Sequence, residues 1–171
     1  MISQKIQDAI NDQINFEIYS SYIYFSMSSF FESKNLEGMA KWMRVQAQEE
    51  LLHAVKFYNY VNERGGRALM KEIKGPKNEW SSPIEVFEDA LAHERIVTER
   101  ISNMVTLARA ENDHLTDNFL QWFLAEQVEE EATADGIIQQ LKLAGDQGAG
   151  LFMIDRELGA RVLTVPAGIT F

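Results

Sequence analysis

The sequence predicts an all-α fold: a four-helix bundle with one long crossover between helices two and three, plus a short fifth helix near the C-terminal end. Only three prolines occur in 171 residues, so long segments are free to form continuous helices. Apolar residues recur in these segments with a period near 3.6, the repeat of one face of an α-helix. The links between the segments are short apart from one, and two helical hairpins joined by one long connection form a known bundle topology.

The first two segments predict an antiparallel helical hairpin. Helix one is expected from about Ser3 to Ser33, and helix two from about Glu37 to Arg64. Gly65-Gly66 follows, and glycine is common just beyond a helix C-terminus because it adopts the left-handed conformation at little cost. Since only a few residues separate the two helices, they should lie side by side.

A second hairpin follows after a long link (65–82, about eighteen residues) without a helical pattern. Ser82-Pro-Ile-Glu85 predicts a capping box with proline at the first helical position. Helix three is expected to reach about Ala110, and helix four to run from about Leu115 to Ala144. A link of this length between the middle helices predicts a crossover along the bundle.

The last predicted element is a short helix at about residues 151–161, after a glycine-rich stretch at residues 145–150. Its apolar residues are too numerous for an isolated helix, so we expect it to pack at a symmetry axis of an oligomer. A β-branched tail follows it. We interpret residues 1–171 as a single domain, with the bundle at about residues 3–144.

The composition narrows the chemistry. There are no cysteines, which excludes disulfides, thiolate zinc sites, iron–sulfur clusters and cysteine nucleophiles. The net charge of −10 argues against nucleic acid as a partner and favours cations. The N-terminal residues contain no apolar signal segment, and no apolar run has the length of a transmembrane helix. A cytoplasmic protein without a membrane partner is therefore expected.

Acidic residues interrupt the middle of all four apolar stripes. Because successive helical residues turn by about 100°, residues three or four positions apart share one face of a helix. If the helices pack on their apolar faces, these acids meet in the core at one level. The residues concerned are Glu17 in helix one, Glu49, Glu50 and His53 in helix two, Glu94 in helix three, and Glu126, Glu129 and Glu130 in helix four.

Burying such a cluster unpaired is costly, on the order of several kcal/mol for each carboxylate. The nearby cations Arg44 and Lys56 are expected to face outward. Two divalent metal ions would balance four carboxylates, and His53 would add a nitrogen ligand, a set that suits iron or manganese better than zinc. Any one motif alone also fits a solvated helix face, because charged runs such as Glu129-Glu-Glu131 are common on surfaces. The four carboxylates are those of Glu17, Glu50, Glu94 and Glu130.

Over about residues 1–160 the chain resembles prokaryotic-type non-haem ferritins. The motifs that carry the resemblance are Asn15-Phe-Glu17-Ile-Tyr-Ser-Ser-Tyr22, Trp42-Met-Arg-Val-Gln-Ala-Gln-Glu-Glu-Leu-Leu-His53, His93-Glu94 and Asn118-Phe-Leu-Gln-Trp-Phe-Leu-Ala-Glu-Gln-Val-Glu-Glu130. The ferritin-like fold that this implies is the two-hairpin bundle with a crossover.

The resemblance implies a paired iron site and a third iron site. Glu17, Glu50 and His53 would hold the first iron, and Glu50 would bridge to the second. Trp122 is either a further redox-active side chain or ordinary core. The other residues that match the family are Glu94 and Glu130 at the second iron, Gln127 beside it, Glu49, Glu126 and Glu129 (with Glu130 shared) at the third iron, and Tyr24 close to the pair as a hydrogen-bonding or electron-donating group.

The function implied by the resemblance is iron storage. The paired site would be a ferroxidase that oxidises Fe²⁺ with dioxygen or hydrogen peroxide, and the ferric product would form a mineral inside a 24-subunit shell. Leu51 replaces the methionine that binds haem in bacterioferritins, so no haem is expected. Of the acids that line the iron channel of animal ferritins only Asp117 is matched, while Asp113 and His114 are either contributors or a polar turn.

Two other interpretations stay open. One is a discrete di-iron peroxidase or oxygenase on the same bundle, although the absence of cysteine argues against the rubrerythrin type. The other is a non-catalytic helical assembly protein, which leaves the aligned acids unexplained. An oxygenase would also need a substrate pocket or a partner subunit, and packed aromatic side chains are expected to leave no obvious room for a pocket: Phe16, Phe25, Phe30, Phe31 and Trp42.

Overall fold

The computed structural model describes residues 2–145, 148–166 and 169. Within those ranges it contains no β-strand and five α-helices: α1 (Gln4–Ser33), α2 (Glu37–Glu63), α3 (Pro83–Ala110), α4 (His114–Ala144) and α5 (Gly148–Leu158). α1 packs against α2 and α3 against α4, while α5 lies against α2 and α4. The predicted fold class is confirmed. None of the helices in these ranges combines the length and the hydropathy needed to cross a bilayer.

The single-domain assignment stays a prediction. Residues 1, 170 and 171 of the predicted domain lie outside the described part of the chain, as do residues 146–147 of the predicted glycine-rich turn and residues 167–168 of the tail.

The boundaries of α1 to α4 lie close to the predicted ones. Ser82 precedes α3, and its hydroxyl oxygen accepts a bond from the backbone N–H of Glu85 (3.2 Å), which satisfies a donor that a helix N-terminus leaves free. The predicted capping box is only half formed. With the backbone of Ser82 extended at φ −158°, the Glu85 carboxylate accepts instead from the N–H of Ser81 (2.7 Å).

The predicted bounds of the fifth helix, residues 151–161, are wrong by three residues at each end, since α5 spans Gly148–Leu158. Its glycines predicted a turn. However, a Cβ atom at Gly150 would lie 2.8 Å from the Cβ atom of Ala144, so this glycine allows α5 to approach the end of α4. The chain leaves the helix through a turn at Gly159.

The long link runs along α1. Three side chains of α1, spaced four residues apart, bond to the extended backbone of the link at positions two residues apart. Four helical residues advance about 6 Å and two extended residues about 6.6 Å, so the two repeats nearly match. The bonds join Gln7 to the Arg67 N–H (3.2 Å), Asn11 to the Arg67 carbonyl (3.0 Å) and the Leu69 N–H (2.9 Å), and Asn15 to the Leu69 carbonyl (2.8 Å) and the Lys71 N–H (2.6 Å).

A polar layer divides the apolar core into two clusters, which we name the α5-side core and the distal core. The α5-side core includes Phe31, Met43, Phe87, Ile138 and Leu158, and the distal core includes Ile10, Phe57, Ile101, Leu120 and Phe123. Along each of the four long helices, the acids singled out from the sequence lie between the residues of these two clusters. The bundle therefore holds its charged side chains between two apolar ends.

Candidate metal centre

Three buried side chains converge between the two cores. Glu17 of α1 and Glu50 and His53 of α2 each offer one ligand atom, and these atoms lie within 4.8 Å of one another. Their exposed fractions are 0%, 1% and 4%. The spacing of three residues sets Glu50 and His53 on one face of α2, and the packing of α1 on α2 brings Glu17 to them. Such a group of carboxylates and imidazole suits a divalent metal ion.

The other two helices supply two further carboxylates. Glu94 of α3 is buried and Glu130 of α4 is half-buried. One amide connects Glu130 to the three converging residues, because Gln46 Nε2 lies 2.8 Å from both Glu50 Oε1 and Glu130 Oε2. Gln127 Nε2 donates to Glu94 Oε2 at 3.0 Å. Each of the four long helices therefore contributes at least one carboxylate to the polar layer.

Two glutamines to which the sequence analysis assigned no role hold these carboxylates. Gln13 Nε2 donates to Glu17 Oε1 at 2.7 Å, and Gln13 itself accepts a bond from Arg100 Nε at 2.8 Å. Gln46 makes the double contact described above. Both glutamines lie on the apolar stripes one helical turn before an acid, which was the available signal. Within the described residues, Glu17 Oε2 and Gln46 Oε1 are buried without a hydrogen-bond partner, and such oxygens are rare unless they serve a ligand or ion.

Burial and mutual repulsion disturb the ionisation of the cluster. Burial, helped by the charge of Glu50, raises the pKa of Glu17 to about 8 and that of Glu130 to about 7, and it raises the pKa of Glu94 well above its ordinary value. Burial also opposes the charge of Glu50, but the hydrogen bond and the positive charge of His53 outweigh it and lower the pKa of Glu50. Burial opposes the charge of His53 too, yet Glu50 raises the pKa of His53 to about 10.

The raised pKa values favour the protonated forms of the carboxyl groups of Glu17, Glu94 and Glu130, and His53 pairs with Glu50. His53 Nδ1 lies 3.4 Å from Glu50 Oε2. A metal ion would replace these protons, because histidine ligates in its neutral form and carboxyl groups in their ionised form. The charge of Glu50 acts on carboxylates from all three other helices, so Glu50 lies centrally among the acids.

A cavity of about 490 Å³ opens beside His53 and Glu130. The predicted ligands of the third iron line it, with Glu49 and Glu126 half-buried and Glu129 exposed. Within the described residues these acids do not meet at ligand distance as Glu17, Glu50 and His53 do. The cavity is also lined by Leu52, Trp122, Thr133, Arg161, Thr164 and Pro166.

Arg161 was missed by the sequence analysis. It lies in the tail after α5, 112 positions from Glu49, and its guanidinium donates to the Glu49 carboxylate. The tail thus supplies a partly buried cation beside the acids of the cavity. Arg44 is exposed as expected, whereas Lys56 is half-buried and places its ammonium 4.2 Å from the centre of the Trp122 ring.

Aromatic side chains border the centre unevenly. Tyr24 is buried, and its hydroxyl donates to Glu94. The Trp122 ring meets the His53 ring edge-on, with the ring centres 5.6 Å apart. Phe25, expected to pack inside the bundle, is 47% exposed, because its position in α1 faces away from the other helices. The other four aromatic residues expected to pack inside are buried or half-buried. None of the five lines the cavity beside His53, which provides room that the sequence did not indicate.

The comparison with known protein families decides the identity of the fold. The family described as Ferritin-like domain matches residues 7–144, which include every predicted ligand. The chain belongs to the ferritin family. The predicted resemblance is thus confirmed.

Several ferritins are closely similar to this one. A bacterial non-heme ferritin of Bacteroides fragilis (strain 638R) is 48% identical over 94% of this chain and 100% of the relative. A bacterial non-heme ferritin of Staphylococcus saprophyticus is 43% identical over 94% and 96% of the two chains. Among solved structures, an open pore ferritin from Archaeoglobus fulgidus is 49% identical with a TM-score of 0.93 over 95% and 99%. An engineered closed form of the Archaeoglobus fulgidus ferritin is 50% identical with a TM-score of 0.95 over 96% and 100%.

In this ferritin the acids around the start of α4 make structural contacts. Asp113 caps α4 by accepting a bond from the Thr116 N–H (3.1 Å), and it pairs with Arg64 (2.9 Å). Asp117 pairs with an arginine of α3 at 2.9 Å, and His114 is exposed. The iron channel to which these residues were matched stays a prediction.

Proposed function

We propose that this ferritin oxidises Fe²⁺ to Fe³⁺ at a paired site in each subunit and stores the product as a ferric oxy-hydroxide mineral inside a hollow shell of identical subunits. The convergence of Glu17, Glu50 and His53 within 4.8 Å, between two apolar cores, carries this proposal. The 48% identity to a bacterial non-heme ferritin supports it. We place the protein in the cytoplasm and assign it no haem.

Five side chains would divide between the two ions. Glu17 and His53 would hold the first Fe²⁺, Glu94 and Glu130 the second, and Glu50 would bridge them. Glu50 suits a bridge because its charge acts on the other three carboxylates. The four carboxylates carry four negative charges, which balance two divalent cations.

Four neighbours would position these ligands. The amides of Gln13, Gln46 and Gln127 and the hydroxyl of Tyr24 each donate to a carboxylate oxygen of the centre. The bond from Gln13 leaves Glu17 Oε2 without a hydrogen-bond partner in the described part of the chain. Both oxygens of Glu94 accept a bond, one from Tyr24 and one from Gln127. Such supporting contacts around metal ligands typically change metal affinity or activity about 10- to 100-fold.

The pairing of two irons matches the electron demand of the oxidant. Each Fe²⁺ gives up one electron, so a pair supplies two. Dioxygen that takes two electrons and two protons becomes hydrogen peroxide, and hydrogen peroxide that takes two electrons and two protons becomes two waters. Hard anionic oxygen ligands bind Fe³⁺ more strongly than Fe²⁺ and thus favour oxidation. The third iron would bind at Glu49, Glu126, Glu129 and the shared Glu130, which line the cavity.

A shell of 24 subunits is proposed from the resemblance, and a solved relative is described as an open pore ferritin. α5 exposes Phe152 and Met153, which a symmetry axis would cover. The outer surfaces of α1 and the crossover expose Tyr22, Phe25 and Met70, which suit a two-fold interface. Exposed apolar side chains in such numbers mark association surfaces.

Size exclusion of the iron-loaded protein tests the proposal. The metal-free protein is loaded with Fe²⁺ in air, and ferric absorbance is followed together with the protein signal. We expect far more iron than three ions per chain to elute with a particle of about 470 kDa, the mass of 24 chains of 19.6 kDa. His53→Ala should abolish the fast phase of oxidation.

A discrete di-iron peroxidase or oxygenase is the second candidate, because the cavity of about 490 Å³ beside His53 has room for a small substrate. It predicts about two irons per chain on a particle of a few subunits. That elution profile would overturn the storage proposal.

A further inference from the structure

Arg161 is the cation that the chain itself supplies to the cavity beside the paired site. Its guanidinium donates to Glu49 through Nη2 and lies 4.2 Å from the centre of the Trp42 ring. Within the described residues its Nη1 atom is buried without a hydrogen-bond partner. The side chains of Arg161 and Glu49 are 21% and 18% exposed. A largely desolvated contact of this kind is stronger than an exposed surface ion pair.

Glu49 is also one of four carboxylates that line this cavity. Burial raises the pKa of Glu49, and the positive charge of Arg161 works against that rise. The guanidinium of Arg161 and a metal ion in the cavity would therefore compete for the Glu49 carboxylate, and their positive charges would repel each other. Glu49 cannot bind both cations at full strength at the same time.

The position of Arg161 depends on how α5 docks. Asp155 Oδ1 accepts a bond from the backbone N–H of Met39 at 2.8 Å, which caps the start of α2. Lys41 Nζ donates to the carbonyl of Gly159 at 2.8 Å. These contacts hold the last turn of α5 and Gly159 against the start of α2, so the tail that carries Arg161 begins at a fixed point.

We propose that Arg161 is a positioning residue that occupies Glu49 in the metal-free protein and competes with the third metal ion, so that this ion binds after the paired site is filled. The inference rests on the proposed function, since it needs a metal ion at the cavity. It assigns to the tail a role in the order in which iron binds.

Linkage gives the inference a second consequence. If the contact between Arg161 and Glu49 raises the Kd of the third ion by some factor, binding of that ion must weaken the contact by the same factor. Filling the paired site should leave the tail in place, because Arg161 contacts Glu49 in the cavity, whereas Glu50 is buried in the bundle core and does not line the cavity.

Calorimetry under argon measures the competition directly. The metal-free full-length protein is titrated with Fe²⁺ in wild type, Arg161→Ala, Arg161→Lys and the control Arg156→Ala, which removes an exposed arginine of α5. We expect two tight ions per chain in all four proteins. The Kd of the third ion should fall about tenfold in Arg161→Ala, within the usual range of coupling between sites. Arg161→Lys keeps the charge and should stay close to wild type.

A third-ion Kd that is the same in Arg161→Ala and Arg156→Ala would overturn the inference, as would the absence of a third ion in both. Loss of the two tight ions from wild type would instead overturn the proposed paired site. The two failures are therefore distinguishable.

Hydrogen exchange tests the reciprocal effect. Deuterium uptake is measured for the peptide at residues 159–166 in wild type with zero, two and three Fe²⁺ per chain, under argon. We expect uptake to rise only with the third ion, and to be high already in metal-free Arg161→Ala. An uptake that does not change when the third ion binds would contradict the competition.

Discussion

Glu49 and Glu50 are adjacent in the sequence and lie in opposite environments. Glu50 is sealed between the two cores, where the Gln46 amide and His53 contact it. Glu49 faces the cavity and pairs with Arg161. One helical step turns the side chain by about 100°, so one dipeptide serves a closed site and an open one. In the closed site His53 pairs with Glu50, and in the open one an arginine from a distant part of the chain pairs with Glu49.

The largest difference in the initial rate of Fe²⁺ oxidation is expected between Glu50→Gln and Glu49→Gln. Glu50→Gln removes the central carboxylate, so the initial rate of Fe²⁺ oxidation at two irons per chain should fall at least about 100-fold, more than the usual effect of a supporting residue. Glu49→Gln should leave that initial rate within about a factor of three, less than the roughly 10-fold effect of a residue that supports a metal ligand, because Glu49 lines the cavity and is not among the proposed ligands of the paired ions. Stopped-flow ferric absorbance measures both.

Circular dichroism and particle size provide the control, because both variants should keep the wild-type helix content and assembly. If the two substitutions slowed oxidation equally, the separation of a closed and an open site would be wrong.

A smaller contrast is expected between Gln46→Ala and Gln48→Ala. Gln46 ties Glu50 to Glu130, so its loss should lower Fe²⁺ affinity at the paired site about 10-fold or more, as for other residues that hold metal ligands. Gln48 is exposed on the same helix and should have no effect. Anaerobic Fe²⁺ titration compares the two, and equal affinities would remove Gln46 from the centre.

Gly38→Ala separates the docking of α5 from the paired site. A Cβ atom at Gly38 would lie 1.7 Å from the carbonyl oxygen of Asp155, so α5 must move away. The free energy of unfolding should fall by about 1–3 kcal/mol, the usual effect of overpacking. The initial oxidation rate should not change, because the paired site lies outside this contact.

Gly136→Ala is the matched control. No atom lies within 4 Å of a Cβ atom at this position, and alanine favours a helix by about 1 kcal/mol over glycine. Urea unfolding should therefore shift in opposite directions for the two variants. A loss of stability in Gly136→Ala as large as in Gly38→Ala would show that crowding is not the cause.

The smallest effect is expected at Asp113. Burial opposes its charge, but bonds from Arg64 and Thr116 outweigh burial and lower the pKa of Asp113 below 3.8. The ion pair thus stabilises the protein fully above pH 3.8, and its contribution is lost as the pH falls through the lowered pKa. Asp113→Asn keeps a good cap and should cost about 1 kcal/mol at neutral pH.

Urea unfolding at neutral and acidic pH measures this difference, which should shrink below pH 3.8. Iron oxidation should stay at the wild-type rate. Slower oxidation in Asp113→Asn would show that this carboxylate serves iron as well as the helix.

Features that depend on residues close together in the sequence could be predicted from it. The helices follow from a period of 3.6 residues, and the acids on their inner faces follow from the same period. Glu17, Glu50 and His53 could be placed together because each stripe packs inward and the short link between α1 and α2 fixes their relative direction.

Contacts that join distant parts of the chain could not be predicted. No helical period connects Arg161 to Glu49 across 112 positions, because the tail has no period. The glycines at the start of α5 predicted a turn, because the sequence does not show that Gly150 packs against Ala144. Phe25 was assigned to the core by residue type, although its position on α1 faces outward.

The repeat of the crossover is slightly longer than the repeat of α1 along which it runs. Each paired step falls out of register by about 0.6 Å, the difference between 6.6 Å and 6.0 Å. The amide rungs end at Asn15, and at the next helical step Tyr19 instead places its ring 5.1 Å from the Lys74 ammonium. Direct bonds resume further along, where Ser26 donates to the Lys77 carbonyl at 2.6 Å. The link should therefore tolerate an inserted residue between positions 71 and 77, where no side chain of α1 bonds to its backbone within the described residues. An insertion between positions 67 and 71 would instead break the bonds from Asn11 and Asn15.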